Sequence, residues 1–361
     1  MRFRHSFWTV ALVAIMLGLA ACSERSTIGP TPTDRFDVAT FEANLATMER
    51  VASTPVLESF KALGQHAGSV SVGGSPAAAA GTEPTAVAGR LLRLVSRIAT
   101  LTGRSSGAQL VPIIRSEVLG STFVYDPLSK QYVYDPARTG APPNGVRFIL
   151  YQLDEETQAP HAEVEIGWVD LIDEKVSSTS SLGLRLRVVS GGVTYLEYGF
   201  ELSGQLVSPT LAVSGFMSDG TERLTFDLTV SGQVIGHGGA VRLDARLEMP
   251  SRGFKVLAAV RGAGGEGQVD LTVQGGDDLI NMKASVQESR LDATFTVNGR
   301  LLATAMGDPE HPVIRGEGGR DLTPEELAAL AQIVGLAEGL FELFGELLEP
   351  VGALLGFGVA L

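Results

Sequence analysis

Ala240-Val-Arg-Leu-Asp-Ala-Arg-Leu-Glu-Met249 decides the fold. Val241, Leu243, Ala245 and Leu247 fall on one face, and Arg242, Asp244, Arg246 and Glu248 on the other. That is the period-two pattern of a strand with one dry and one wet face. The same alternation runs outward in both directions, from Leu182 to Met306. Towards the N-terminus, Leu184, Leu186 and Val188 oppose Arg185 and Arg187, and Leu224, Phe226, Leu228 and Val230 alternate with Thr225, Asp227 and Thr229. Towards the C-terminus, dry faces follow at Val269, Leu271 and Val273, then Ile280, Met282, Ala284 and Val286, then Leu291, Ala293, Phe295 and Val297. Gly191-Gly192, Ser218-Asp-Gly220 and Asn298-Gly299 separate the runs. Asn-Gly is the strongest short hairpin signal, so Arg300 to Ala305 is expected to be a return strand. Pro209 predicts an edge, a bulge or a break in its strand. Successive hairpins build an antiparallel meander, and the chain has no Rossmann or P-loop rhythm. A nine-residue strand is about 30 Å long, so the dry face is wide and needs a cover.

The C-terminal region supplies a candidate cover. Thr323-Pro-Glu-Glu326 is a capping box with Pro at the first helical position. The predicted helix runs over 323–349, with Pro350 as its stop. Glu338, Glu342, Glu346 and Glu349 make one polar stripe, and apolar residues including Phe341 and Phe344 fill most of the remaining circumference. A helix apolar over so much of its surface is normally buried. Gly335, Gly339 and Gly345 each lower helix propensity by about 1 kcal/mol relative to Ala, and are expected to permit bending or close approach to the sheet. Residues 350–361 read as an apolar tail. Acidic and proline positions interrupt 327–361, so it is not read as a membrane span. The fold class is therefore α+β: a large curved antiparallel sheet, an open or partly closed barrel, covered by a long C-terminal helix and by N-terminal helices. Charges on the wet face and missing aromatic girdles argue against a membrane barrel.

Residues 35–110 are expected to be helical with loops. Val38, Phe41, Leu45 and Met48 predict a helix over about 35–50. Thr54-Pro55 starts a second, with Gly64 as its stop. Residues 67–85 read as a loop and 86–102 as a third helix, on which Arg93 and Arg97 form a solvated face. The sheet domain spans 118–349. It opens on a near-repeat, Thr122-Phe-Val-Tyr-Asp-Pro127 and Gln131-Tyr-Val-Tyr-Asp-Pro136, which predicts a hairpin around Leu128 to Lys130. Tyr125, Tyr132 and Tyr134 are read as a half-buried sheet edge in preference to a binding groove. Val146–Leu153 and Ala162–Leu171 are two further strands.

Met1-Arg-Phe-Arg-His5 is a basic start, Phe7 to Ala21 is apolar, and Leu19-Ala-Ala-Cys22 closes the segment. This resembles the lipobox of bacterial lipoproteins. The resemblance implies removal of a signal peptide at 1–21 and acylation of Cys22, with palmitate or similar chains as the membrane anchor. Cys22 is the only cysteine, so it has no intramolecular disulfide partner. Ser23 in place of Asp implies an outer-membrane address, at the periplasmic face or the cell surface. Residues 22–34, rich in Ser, Thr and Pro, read as a tether.

The formal charge of −13 argues against a nucleic-acid footprint, which needs a basic patch. His66, His161, His237 and His311 are isolated, with no metal-ligand spacing. No nucleophile elbow occurs. Asp277-Asp278 and Asp154-Glu-Glu156 read as solvated turns. No catalytic residue, metal ligand or cofactor is therefore assigned. The sheet-and-helix plan loosely resembles the lipid-carrier proteins of the cell envelope, whose sheets form unclosed barrels. That resemblance implies an apolar cleft for a lipid or other hydrophobic small molecule, and the candidate lining is Phe226, Leu243, Leu271, Met282, Phe295, Phe341 and Phe344. The alternatives are a structural or protein-interaction lipoprotein with a fully packed core, and an envelope hydrolase.

Overall fold

The computed structural model describes residues 38–66, 114, 116–174, 182–205, 208–233, 240–263, 266–288, 290–309 and 311–360. The expected signal peptide, Cys22, the tether, the loop at 67–85, the third helix at 86–102 and His237 lie outside the described residues.

Among the described residues, fifteen strands form one sheet. In chain order they are β1 (Thr122–Asp126), β2 (Gln131–Tyr134), β3 (Gly145–Leu153), β4 (Pro160–Glu174), β5 (Leu182–Ser190), β6 (Val193–Gln205), β7 (Ser208–Ser218), β8 (Arg223–Gly232), β9 (Val241–Met249), β10 (Phe254–Ala263), β11 (Glu266–Gly275), β12 (Asp278–Gln287), β13 (Arg290–Val297), β14 (Arg300–Asp308) and β15 (His311–Arg315). From β15 down to β3 every strand neighbours the next in sequence, and the order ends β3-β1-β2. The sheet is open, with β15 and β2 as its ends. The hairpin ladder expected from 182 onward is present, and β1 to β4 belong to the same sheet. One pairing departs from the antiparallel expectation: β1 runs parallel to β3, with Thr122 opposite Arg147 and Phe123 opposite Phe148. The alternation of residues is the same for either direction, so only tertiary pairing decides it.

Among the described residues, three α-helices accompany the strands: α1 (Val38–Ala52), α2 (Pro55–His66) and α3 (Pro324–Ala360). The chain divides into two compact units. The described part of one comprises 38–47 and 229–342; that of the other comprises 48–66, 114–228 and 343–360.

In the first unit the inner face is continuous in register. Leu243 lies opposite Val260, Val260 opposite Val269, Leu271 opposite Met282, and Met282 opposite Phe295. At Asn298-Gly299 both residues take left-handed φ values, 51° and 77°. This is the primed turn that the dipeptide favours, because its twist matches the flanking strands. Phe41 of α1 meets Phe254 edge-on, with ring centroids 6.2 Å apart.

The capping box at the start of α3 forms as expected. Glu326 N–H donates to Thr323 Oγ1 at 3.2 Å, and Thr323 N–H donates back to Glu326 Oε2 at 2.9 Å. Arg320 Nη1 adds a contact to Glu326 Oε2 at 2.7 Å. Burial pushes the Glu326 carboxyl up, but the Arg320 guanidinium and the Thr323 N–H outweigh it and hold it below the usual glutamate range. A carboxyl depressed in the folded state stabilises fully above its unfolded value, and that contribution is lost as pH falls through the folded value. Glu326→Gln should therefore lower stability at pH 7 and flatten its acid dependence below about pH 4.5. Denaturant melts at pH 7 and pH 3.5 of both chains measure this, and parallel curves would contradict it.

In the second unit, α2 lies against β3 to β6, and Ser59 Oγ accepts from Tyr151 N–H at 3.2 Å. Two expected stops fail here. α2 passes Gly64 and ends at His66, and α3 passes Pro350 and ends at Ala360. The predicted end of the covering helix at 349 and the separate apolar tail at 350–361 are corrected accordingly. Both departures meet at one point: a Cβ on Gly64 would sit 3.1 Å from Pro350 Cα. Gly64 is a close-approach residue for the other helix. The disruption at Pro350 is offset because continuation buries Val351 and Leu354, which are 1% and 2% exposed. The expected close approach of Gly339 and Gly345 to the sheet is also corrected, because a Cβ on either would meet nothing within 4 Å. They lie on the outward side of α3, where small residues cost propensity without serving contact. Pro209 is neither at an edge nor a break; it sits opposite Gly204 near the start of the interior strand β7.

Candidate functional site

All seven residues of the candidate cleft are buried, none more than 2% exposed. They fall into two groups. Leu243, Leu271, Met282, Phe295 and Phe341 belong to the first unit. The first four project from β9, β11, β12 and β13 onto one face because their positions share the same parity in the register. Phe341 belongs to the buried stripe of α3 with Ile333, Val334, Ala337 and Leu340.

Phe226 and Phe344 belong to the second unit, and the structure brings them together edge-on, with centroids 6.0 Å apart. The Tyr198 ring also packs on Phe226, tilted, with centroids 6.0 Å apart. Its hydroxyl donates to the Leu347 carbonyl of α3 at 2.7 Å, and burial pushes its ionisation well above the usual tyrosine range. Tyr198 is thus a neutral hydrogen-bond donor that ties the helix to β6. Sequence reading missed it, because nothing local marks a strand tyrosine as the partner of a helix carbonyl 149 residues away.

Tyr125 and Tyr132 are 6% and 3% exposed, and their rings meet edge-on with centroids 5.9 Å apart. Tyr132 Oη donates to the Ile149 carbonyl at 2.9 Å. Both serve packing, and only Tyr134 is largely exposed, at 56%. His66 lies edge-on to Tyr125 at 5.4 Å. Its burial lowers the imidazole's affinity for a proton, although the backbone carbonyls of Lys130 and Gln158 favour the charged form. His161 is paired loosely with Asp154 at 3.5 Å, and His311 is exposed on β15. Asp154 accepts from the backbone N–H groups of Glu156 and Thr157 in its own turn, and Asp278 accepts from Asn298 Nδ2. Among the described residues, no group of three or more His, Cys, Asp or Glu side chains is placed to hold a metal ion.

The most concentrated electrostatic arrangement lies on the opposite face of the second unit. Arg147 of β3, Asp170 of β4, Arg187 of β5 and Glu197 of β6 occupy one row of the register. Asp170 is fully buried. It accepts from Arg147 Nε at 2.7 Å and Nη2 at 3.0 Å, and from Arg187 Nη2 at 3.0 Å. The Arg147 guanidinium lies 4.7 Å from the centre of the Trp168 ring, a favourable cation–π distance. Arg185, two residues before Arg187 on the same face of β5, bridges Glu174 at 2.6 Å and Glu197 at 2.8 Å. Sequence reading placed Arg185 and Arg187 on a wet face but did not identify their carboxylate partners. Every charged group in this row is held by a neighbour in the sheet, which suits cross-strand stabilisation and leaves no isolated acid, base or nucleophile.

Helix α3 is the one described helix long and apolar enough to cross a membrane by length and composition over Pro324–Leu354, and 59% of its most apolar window is buried inside the protein. That helix and the open sheet are consistent with a membrane-associated protein. Fold and site together define an open-sheet α+β protein with its apolar face turned inward. No family model, curated protein or solved structure matches this chain.

Proposed function

We propose that this chain is a membrane-tethered, non-catalytic lipoprotein of the cell envelope, anchored through acylated Cys22, whose folded body serves as a structural or protein-interaction module. The observation that carries the non-carrier form of this reading is the burial of all seven candidate cleft residues, two of them, Phe341 and Phe344, supplied by the chain's own helix. A side chain of α3 stands against Phe226 where a carrier would place its ligand. The resemblance of Leu19–Cys22 to a lipobox supports the anchor, and Ser23 after it supports the outer-membrane address. Several acyl chains hold a protein firmly, at about 0.8 kcal/mol for each buried CH₂.

Expression of the full chain in a bacterium with an alkyne-labelled palmitate tests the anchor. The wild-type chain should take up label and remain with membranes, and Cys22→Ser should take up none. Equal labelling of both chains would overturn it. Native mass spectrometry of the detergent-extracted protein tests the rest: no copurifying lipid is expected, and a stoichiometric lipid would favour the carrier form, with α3 yielding part of the interior to the ligand.

A further inference from the structure

β2 closes the strand order, and no described strand lies beyond it. The backbone bond from Asp135 N–H to the Thr122 carbonyl, 3.0 Å, sets the phase of the β1–β2 ladder. Bonded and non-bonded pairs alternate in an antiparallel pair. Val133 opposite Val124 and Gln131 opposite Asp126 are therefore the bonded pairs, and Tyr134 opposite Phe123 and Tyr132 opposite Tyr125 the non-bonded ones. The N–H and C=O groups of Tyr132 and Tyr134 consequently point away from β1, along the open edge. This edge is apolar and, among the described residues, unpaired: Val133 is 40% exposed, Tyr134 56%, and Leu128 in the adjoining turn 93%. The opposite end of the sheet is guarded. β15 carries Pro312, which has no N–H to donate, and ends on the cation Arg315, two devices that discourage edge pairing.

We propose that β2 is a self-pairing edge, which binds β2 of a second copy of this chain in antiparallel fashion about a two-fold axis at Val133. This register sets Tyr132 opposite Tyr134 of the second copy and the reverse, so the two outward N–H and two outward C=O groups of each strand form four hydrogen bonds. Val133 then meets its counterpart in a non-bonded pair, the position where opposed side chains come closest. Gln131 falls opposite Asp135 of the second copy at both ends, an amide donor facing a carboxylate, and no like charges are opposed. A two-fold contact requires a patch complementary to itself, and this strand meets that requirement in backbone spacing, in its central apolar residue and at its polar ends. An unrelated strand would satisfy the backbone groups alone. The inference does not depend on the lipid anchor.

Single cysteines introduced into the full chain, extracted in mild detergent, test it. Val133→Cys places two Cα atoms about 4.5 Å apart on the axis, the spacing of a non-bonded pair, within disulfide reach. Ser129→Cys, in the exposed turn, lies four residues from the axis and so about 26 Å from its counterpart along the strands. Mild oxidation should link Val133→Cys at least tenfold faster than Ser129→Cys, and mass spectrometry should find a peptide disulfide joining position 133 to itself. This readout separates the product from any Cys22 background. Light scattering should give the wild-type chain the mass of two copies and Val133→Lys, which opposes two cations on an already exposed position, the mass of one. Equal linking of the two cysteine variants, no linking of Val133→Cys, or a monomeric wild-type chain would each overturn the proposal, whichever strand or partner then occupies the edge.

Discussion

Truncating Phe344 to Ala should destabilise the second unit by about 3–5 kcal/mol, the range for removing a buried aromatic side chain from a packed core. Phe344 is 1% exposed and abuts Phe226. Its loss removes apolar burial and opens a void that neighbours on β6 and β8 fill only in part. The hydrogen bond from Tyr198 to the Leu347 carbonyl, one turn further along the helix, pins the backbone and limits relaxation. A domain's whole stability is about 5–15 kcal/mol, so the variant should melt far below the parent. Denaturant unfolding followed by Trp fluorescence measures it, and Phe344→Leu should retain most of the lost stability. A change under 1 kcal/mol for Phe344→Ala would mean that α3 does not pack as described.

The second large effect is expected on the other face. Asp170→Ala leaves Arg147 and Arg187 without the carboxylate that both donate to. Removing one member of a buried ion pair costs about 3–5 kcal/mol, because the remaining charge is left desolvated. Arg187 is 41% exposed and can turn to water, whereas Arg147 at 17% has less access, so the lower part of that range is expected. Arg147→Met with Asp170→Leu, which replaces the pair by apolar groups, should recover part of the loss. A double-mutant cycle on Arg147 and Asp170 by chemical denaturation measures the coupling. Additivity within 0.5 kcal/mol would show that the buried arrangement contributes nothing as a pair.

These two residues also show where sequence reading reached its limit. Phe344 was legible as an inward residue, since it lies on the apolar circumference of a helix with a recognisable capping box. Its contact with Phe226 was not, because the two are 118 positions apart in the chain. Asp170 stood in a predicted strand with no feature to separate it from any other acid on a wet face. Its two arginines come from strands on either side, and only their register aligns the three in one row. The candidate cleft was legible as a set of inward positions. Whether those positions line an opening or press against each other depends on how closely the covering helix approaches, and no local pattern encodes that distance.

The sequence by itself determined the parity of the strands at Leu184, Leu224, Val241, Val269, Ile280 and Leu291, the primed turn at Asn298-Gly299 and the start of α3 at Thr323. Each rests on interactions between residues a few positions apart, so local stereochemistry suffices. The tertiary structure alone decided the parallel docking of β1 on β3, the outward position of Gly339 and Gly345, and the continuation of α3 through Pro350. A proline normally ends a helix, because it removes one hydrogen bond and crowds the preceding turn. Here Gly64 of α2 leaves room for it, and the residues beyond it gain burial. That balance is set by a contact across 286 residues of chain, and it exists only once the second unit has folded.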